Sequence, residues 1–148
     1  MLPAMKIVNH VYPDSATIAA ATALTISNYI DTKGWGHLRV LFTFGGAAIA
    51  MTAAPKLQAC DTTAGTFADI TDAVLAAAPT ATADGYLYAI DVDLSGGDIP
   101  RFVQVLGTKG TDATTGTGIG VIGILTRPCA GSKTNSAADM GLNALVTA

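Results

Sequence analysis

The stretch that decides the fold of this chain is Pro55-Lys-Leu-Gln-Ala-Cys-Asp-Thr-Thr-Ala-Gly-Thr-Phe-Ala-Asp-Ile70. Leu57 and Ala59 alternate with polar neighbours, which is the period of two expected for a β-strand with one buried face. Residues 61–65, Asp-Thr-Thr-Ala-Gly, combine Asx-type turn chemistry with a glycine that can adopt positive φ. Phe67 then begins a short return strand. The stretch therefore predicts a β-hairpin that faces outward from a β scaffold.

The composition indicates one domain with an unusually uncharged surface. A chain of 148 residues is long enough for a single domain with its own core. Half of the residues are apolar, but aromatic residues make up 6% and charged residues 13%, well below the roughly 25% charged residues of ordinary soluble domains. Such a surface favours a protein that is covered by its neighbours.

The same alternation of apolar strands and small polar loops continues along the chain. Strand patterns occur at 5–12, 38–44, 86–94, 101–106 and 119–126. The last pattern is almost entirely apolar, so we expect that strand to be buried on both faces. Residues 72–78 have a composition that favours one or two helical turns, whereas residues 16–30 alternate weakly and are interpreted as a strand.

Short strands at this spacing predict an all-β fold, a single β-sandwich or jelly-roll-like domain. Residues 35–128 form the predicted β-sandwich body. Residues 1–34 are predicted to be an N-terminal arm or extra strands. Residues 129–148 are small and polar, and we expect a C-terminal tail that a neighbour orders.

Apolar side chains in the N-terminal segment are predicted to bind a partner, because they are too apolar for a free, solvated arm. Trp35, in Gly34-Trp35-Gly36-His37, has two interpretations: an interface anchor or core packing under the next strand. The predicted partner-binding residues are Ile7, Val8, Val11, Ile18, Leu24, Ile26 and Trp35.

No motif predicts catalysis or a bound cofactor. Gly118-Ile-Gly-Val-Ile-Gly123 matches the dinucleotide fingerprint G-x-G-x-x-G, but it lies inside an apolar strand pattern that no helix follows. We interpret these glycines as a device for close strand packing. Nucleophilic catalysis needs a serine or cysteine beside a histidine and an orienting acid, and no sequence signature of that kind is present. We expect that the protein is not an enzyme and has no cofactor.

Metal binding is likewise not indicated. The histidines and cysteines lack the short-spaced ligand pairs of a zinc site. Asp91 and Asp93 share one strand face, but no loop nearby supplies the further oxygen ligands that calcium requires. Cys60 ends a hairpin strand and Cys129 follows the last strand, so we expect two free thiols and no disulfide.

Charge and hydropathy argue against nucleic acid and membrane partners. The net charge is −3 and the chain contains no cluster of lysines and arginines, so no electrostatic footprint for nucleic acid exists. The longest mainly apolar stretches, 16–26 and 73–79, are shorter than the roughly 20 residues of a membrane-spanning helix. The N-terminus lacks the charged and apolar regions of a signal peptide.

Several segments, taken in order, resemble a group of small virion proteins of tailed bacteriophages. The resemblance covers roughly residues 35–128. The segments that carry it are Trp35-Gly-His-Leu-Arg-Val-Leu-Phe42, the hairpin at 55–70, Tyr88-Ala-Ile-Asp-Val-Asp93, Arg101-Phe-Val-Gln-Val105 and the apolar strand that ends in Arg127-Pro128.

This resemblance implies a capsid cement or decoration protein, a homotrimer that binds and stabilises the lattice of the major capsid protein. It would lie on the outer surface of the capsid, in a virion assembled in the host cytoplasm. A tail, head–tail connector or head-fibre component is the first alternative. A carbohydrate-binding β-sandwich is the second, and it would require Trp35, Tyr86 and Tyr88 to form an exposed aromatic platform.

Overall fold

The structure is a computed structural model that describes residues 5–14, 29–45, 51–78, 86–109 and 118–129. These residues contain no helix, and all of their strand pairings are antiparallel. The strands are β1 (Lys6–Asp14), β2 (Ile30–Asp31), β3 (Trp35–Gly45), β4 (Met51–Cys60), β5 (Ala68–Val74), β6 (Leu87–Asp93), β7 (Phe102–Lys109) and β8 (Gly118–Pro128). The predicted all-β class is confirmed.

The strands form two four-stranded sheets, sheet A in the order β1-β8-β3-β6 and sheet B in the order β2-β7-β4-β5. The first strand pairs with the last, the second with the seventh, the third with the sixth and the fourth with the fifth. Successive pairs of this nested set fall in opposite sheets. This is the strand order of an eight-stranded jelly roll, and the predicted β-sandwich is confirmed.

The core lies between the inward faces of the two sheets, where alternate residues of each strand meet. Removing an aliphatic side chain of this kind from water contributes about 1.5–3 kcal/mol before the cost of ordering it. Val103 and Val105 are inward, as their strand pattern predicts. Among the residues whose burial the structure describes, the fully buried aliphatic and aromatic ones are Ile30, Leu38, Val40, Phe42, Leu57, Val103, Val105, Val121 and Leu125.

The predicted hairpin is formed by β4 and β5, with Leu57 and Ala59 buried as expected. The role of its glycine differs from the prediction, since positive φ occurs at Gly34 and Gly97 among the described glycines and not at Gly65. A Cβ atom at Gly65 would lie 2.3 Å from the Cys60 Sγ atom. Glycine suits this turn because a Cβ atom here would force the Cys60 side chain to move.

The helical turns predicted at 72–78 are wrong. Strand β5 continues to Val74, and three extra residues bulge between the pairs Lys56–Val74 and Gln58–Asp69. Asp72 has a φ of 61° inside this bulge. Helix preference loses here because the bulged strand keeps Ala73 and the following Leu75 buried against the core.

Strand β8 is buried on one face, not on both as predicted. Val121 and Leu125 are fully buried, whereas Ile122 is 39% exposed on the opposite face. No described residue forms a layer over that outer face. A Cβ atom at Gly123 would lie 2.8 Å from Ile30 Cδ1 of the facing sheet, so this glycine of the G-x-G-x-x-G pattern allows the two sheets to pack closely.

The described parts of the N-terminal segment belong to the two sheets. Strand β1 pairs with β8, with register irregularities between Asn9 and Val11 and between Val11 and Asp14. Ile30 of β2 is fully buried in the core. The strand interpreted at 16–30 lies almost entirely outside the described residues, and so does the predicted tail beyond Cys129.

Candidate protein-binding surface

The outer face of sheet A carries a continuous set of aliphatic side chains. Residues that pair across the sheet share a face, so Ile7 of β1 lies beside Ile124 of β8, and Leu41 of β3 lies between Ile122 of β8 and Ala89 of β6. We call this surface the aliphatic patch. Its residues are Ile7, Leu41, Leu87, Ala89, Ile122 and Ile124.

The aliphatic patch is accessible in the single chain. Leu87 is 62% exposed and Ile122 39% exposed, and Ile7, Leu41 and Ile124 are half-buried. The opposite face of the same strands fills the core, so these outward residues are not needed to hold the two sheets together. Contiguous exposed aliphatic groups make this face a candidate for protein–protein contact.

A charged row borders the aliphatic patch near the beginning of β3. Its residues are His37, Arg39, Asp91, Asp93 and Arg127. The Arg39 guanidinium donates to both carboxylate oxygens of Asp91, at 2.8 and 3.0 Å. His37 Nε2 lies 3.1 Å from Asp91 Oδ1, and His37 Nδ1 lies 3.2 Å from Thr126 Oγ1. The ionised carboxylate can only accept, so Nε2 carries a proton, and in the neutral ring Nδ1 then accepts from the Thr126 hydroxyl.

The carboxylates of this row are held ionised by their partners. The hydrogen bond from Arg39 lowers the pKa of Asp91 below its usual value, against the opposing effect of partial burial. The pKa of Asp93 is lowered chiefly by the Ser95 hydroxyl and backbone N–H, which both donate to Asp93 Oδ1. Arg127 has a φ of 54° and places its Nη1 3.7 Å from Asp93 Oδ2. The row is therefore a charged and locally neutral border.

The outer face of sheet B is polar and satisfied by its own side chains. Gln104 Nε2 donates to Gln58 Oε1 at 2.9 Å, and Gln58 Nε2 donates to Asp69 Oδ1 at 2.7 Å. Lys56 Nζ donates to the second Asp69 oxygen at 2.6 Å. These contacts lower the pKa of Asp69, the bond from Lys56 first. Gln104 is 6% exposed, so its amide depends on the Gln58 contact.

An aromatic contact crosses the same face of sheet B. The Tyr29 and Phe67 rings stack with centroids 5.0 Å apart, and Phe102 meets Tyr29 edge-on at 6.4 Å. Tyr29 precedes β2 and Phe67 precedes β5, at opposite edges of the sheet. The stacked rings therefore connect segments from opposite edges of the sheet. No local pattern in the sequence predicts this contact.

A cation and a carboxylate extend this aromatic contact. The Arg101 Cζ atom lies 4.7 Å from the centroid of the Phe102 ring. The same guanidinium donates to both carboxylate oxygens of Asp31, at 2.8 and 2.6 Å. The hydrogen bond from Arg101 lowers the pKa of Asp31 against the effect of burial. The Tyr29, Phe67 and Phe102 rings are thus each in contact with neighbouring side chains.

The predicted partner-binding residues fall into different environments. Ile7 lies in the aliphatic patch, Val8 packs against the core, and Val11 pairs with Val121 in the β1–β8 ladder. Ile18, Leu24 and Ile26 lie outside the described residues. Trp35 is 6% exposed and belongs to the core, so in this chain its core-packing interpretation accounts for it and it offers no exposed ring for a carbohydrate platform.

Sequence reasoning missed most of the aliphatic patch because it assigned β8 to the interior on both faces. Nothing in the sequence alone indicates this surface, because it depends on the β3–β8 pairing, which sets positions 124 and 122 of β8 beside positions 39 and 41 of β3. Arg39 shows that this β3 face is open to solvent. A strand beside it with outward isoleucines is therefore one that leaves aliphatic groups exposed.

Both cysteines are free thiols, as predicted. Cys60 is half-buried and Cys129 is exposed. No group of three or more His, Cys, Asp or Glu residues within the described part of the chain is placed to hold a metal ion. The described residues also form no helix of the length and hydropathy that a membrane crossing requires.

Comparison with solved structures finds similarity to the crystal structure of the SPBc2 prophage-derived protein YomS. The TM-score is 0.46 and the sequence identity 15%, over 86% of this chain and 96% of that chain. No model of a known protein family matches the sequence. No curated protein sequence matches it either.

Proposed function

We propose that the chain is a structural virion protein, a capsid cement or decoration protein that binds the major capsid protein through the outer face of sheet A. The observation that carries the proposal is the aliphatic patch, a set of exposed side chains on a sheet whose other face already fills the core. The resemblance of residues 35–128 to small phage virion proteins supplies the partner.

The geometry of the patch suits a fixed and repeated contact. Aliphatic groups on paired strands keep their positions without a loop rearrangement, so little conformational entropy is lost on docking. The Arg39–Asp91 pair stands directly beside Ile124 and Leu41. A polar border of this kind around apolar contacts excludes water and sets orientation, which is the arrangement found at interface hot spots.

The proposal includes the homotrimer and a location on the outer capsid surface. Support comes from the small charged fraction, 13% of the residues, which leaves much of the surface free to be covered by other copies or by the shell. Sedimentation velocity of the purified protein should give the mass of three chains. A monomer at every concentration would contradict the trimer.

A tail, connector or head-fibre component would use the same aliphatic patch against a different neighbour. Mass spectrometry of heads and tails separated from one virion preparation distinguishes these locations. The decoration proposal requires the chain in the head fraction, in stoichiometric ratio to the major capsid protein.

Binding to capsid shells assembled without this chain tests the proposed face. Ile122→Lys places a charge in the centre of the aliphatic patch, at a position exposed enough for the lysine to reach water. We expect at least roughly a hundredfold loss of affinity, as for loss of a central interface residue. Thr63→Lys, at the exposed hairpin tip of sheet B, is the matched control and should bind like the unmodified chain.

Two results would contradict this assignment. If the unmodified protein does not bind the shells, the proposed decoration function is wrong. Equal binding by Ile122→Lys and Thr63→Lys would move the contact away from sheet A. Circular dichroism and thermal melting of both variants establish that each retains the fold.

A further inference from the structure

The four edges of the sandwich differ in how easily another strand can pair with them. Edge strand β1 has two register irregularities, β2 has two residues, and β5 contains a bulge of three extra residues with Asp72 at positive φ. Bulges and short strands are the usual protection of a sheet edge against pairing. Strand β6 has neither, since its seven residues pair with β3 in one unbroken register from Leu87 to Asp93.

The backbone groups on the free edge of β6 follow from one hydrogen bond. The Leu94 N–H donates to the Gly36 carbonyl of β3 at 3.0 Å. Residues of an antiparallel strand point their N–H and C=O groups alternately towards one neighbour and the other. The groups of Tyr88, Ile90 and Val92 therefore point towards β3. The groups that point away from β3 belong to Leu87, Ala89, Asp91 and Asp93.

No strand formed by the described residues pairs with this side of β6. The four residues whose backbone groups face outward also have their side chains on the outer face of sheet A. Leu87 and Ala89 are part of the aliphatic patch, and Asp91 and Asp93 are part of its charged border. The free edge and the proposed docking face are therefore one continuous surface.

We propose that β6 is a strand acceptor, which binds an extended segment of the shell protein as a fifth, antiparallel strand of sheet A. This inference rests on the proposed function and names the way in which the partner is held. Backbone pairing supplies affinity in this mode, and alternate side chains supply specificity.

The charges of β6 indicate the chemistry of that segment. Arg39 occupies both oxygens of Asp91, whereas the Asp93 side chain is 61% exposed and its nearest described cation, Arg127, lies 3.7 Å away. An antiparallel segment that matches β6 carries a basic residue opposite Asp93 and aliphatic residues opposite Ala89 and Leu87.

A second copy of this chain is a poor occupant of the same edge. Two-fold pairing of β6 with itself about Ile90 sets each Leu87 opposite Asp93 of the other copy. It also brings the two Asp91 carboxylates to diagonal positions on one face. Both arrangements are unfavourable for cross-strand pairs, which favours a segment of different sequence.

Binding of two variants to capsid shells assembled without the chain tests the acceptor role. Ala89→Pro removes an N–H that faces the free edge, at the kind of position where an edge strand tolerates proline. We expect about a tenfold loss of affinity from one lost backbone hydrogen bond and the altered edge. Ala89→Val changes the same side chain but keeps the N–H, so Ala89→Pro should bind at least about threefold more weakly than Ala89→Val.

Hydrogen exchange of the unmodified chain gives an independent measurement, which does not depend on whether Ala89→Pro folds. Peptides that cover residues 86–94 should exchange more slowly on the shells than in the free protein, because the outward N–H groups gain acceptors. In free protein, residue-resolved exchange should be fast at Ala89 and Asp91 and slow at Ile90 and Val92.

A third variant tests the basic character of the partner. Asp93→Asn removes the charge while keeping the oxygen that accepts from Ser95. We expect a two- to fivefold loss of affinity at low salt and a weaker dependence on salt. Unchanged affinity and salt dependence would overturn the basic segment.

The acceptor role and the proposed function fail in different ways. If the unmodified chain does not bind shells, both fail. If it binds but residues 86–94 gain no protection, or if Ala89→Pro binds as well as Ala89→Val, the acceptor role is overturned and the docking face stands. Equal weakening by both variants at Ala89 would assign the effect to the side-chain surface and also overturn the strand acceptor.

Discussion

The outer faces of the two sheets are both formed by strands with alternating inward and outward residues, but their outward side chains differ in kind. On sheet B, Gln104, Gln58 and Asp69 form a chain of hydrogen bonds, and the Tyr29 and Phe67 rings stack on each other. On sheet A, Ile122 and Leu87 remain exposed beside a border of ion pairs. One face is completed by its own residues, whereas the other leaves aliphatic groups to be covered.

This difference shows why the outward residues of a strand identify an interaction surface better than its inward residues. Both sheets contribute fully buried side chains to one shared core, so the inner faces carry no information about partners. A face on which the polar groups satisfy one another gains little from a neighbour. A face with exposed aliphatic groups gains about 25 cal/mol for each Å² that a neighbour removes from water.

The largest effect on stability is expected for Gln58→Ala on sheet B. The substitution leaves the nearly buried Gln104 amide without its acceptor, and an unsatisfied buried polar group costs about 1–3 kcal/mol. Lys56→Ala, which breaks the neighbouring exposed ion pair, is the control and should cost about 0–1 kcal/mol. Urea denaturation measures both. Equal losses would mean that the outer face of sheet B does not depend on its own hydrogen bonds.

A smaller effect is expected for the aromatic contact between Tyr29 and Phe67. A double-mutant cycle with Tyr29→Leu and Phe67→Leu should give a coupling free energy of about 0.5–1.5 kcal/mol, the value for a stacked pair beyond its buried area. The same cycle between Tyr29 and Tyr86, which is 61% exposed on β6's side of the molecule, should give no coupling. If the two substitutions lower the free energy of unfolding by strictly additive amounts, the stacked rings do not stabilise each other.

A still smaller effect on stability is expected for Ile122→Thr on sheet A. Threonine keeps the β-branched shape, and the side chain is 39% exposed, so the free energy of unfolding should change by no more than about 0.5 kcal/mol. Self-association, measured by light scattering, should not increase. A loss of about 2 kcal/mol or more would show that residues of the same chain already cover the patch.

The smallest difference between the two faces is expected in acid. The pKa values of Asp91 on sheet A and of Asp31 and Asp69 on sheet B all lie below the ordinary value of 3.8. Carboxyls with lowered folded-state pKa values stabilise the fold above that value, and this stabilisation is lost as the pH falls from 3.8 through the lower pKa values. The midpoint temperature of thermal unfolding should therefore decrease as the pH is lowered through that range.

Asparagine substitutions test the acid dependence for each face. Asp91→Asn and Asp31→Asn should each flatten the decline of the unfolding midpoint below pH 3.8 by a similar amount, because both residues accept two bonds from an exposed arginine. A decline that neither substitution changes would assign the acid sensitivity to other groups.

Much of the fold could be predicted because the inward residues repeat with a period of two. The pattern at 86–94 placed Ile90 and Val92 inward, and the structure buries both. The helical turns proposed near Asp72 were wrong because alanine composition carries no information about a bulge. The bulge in β5 allows Ala73 and the following Leu75 both to be buried in the core.

The candidate surface could be predicted less well. Ile7 was proposed as a partner-binding residue and lies in the aliphatic patch, but it was chosen for a supposed arm and not for a sheet face. Leu41 and Ile122 are 81 positions apart in the sequence and become neighbours through the β3–β8 pairing. No local pattern contains that distance.

The sequence by itself determined the all-β class and the inner faces of regularly alternating strands such as β6 and β7, because this alternation involves only a few neighbouring residues. The tertiary structure alone decided which outer face is open, which sheet edge is regular and why particular glycines are required. These properties depend on strands from distant parts of the chain, as when Ile30 of one sheet fills the space above Gly123 of the other. Only the closed sandwich brings such atoms into contact.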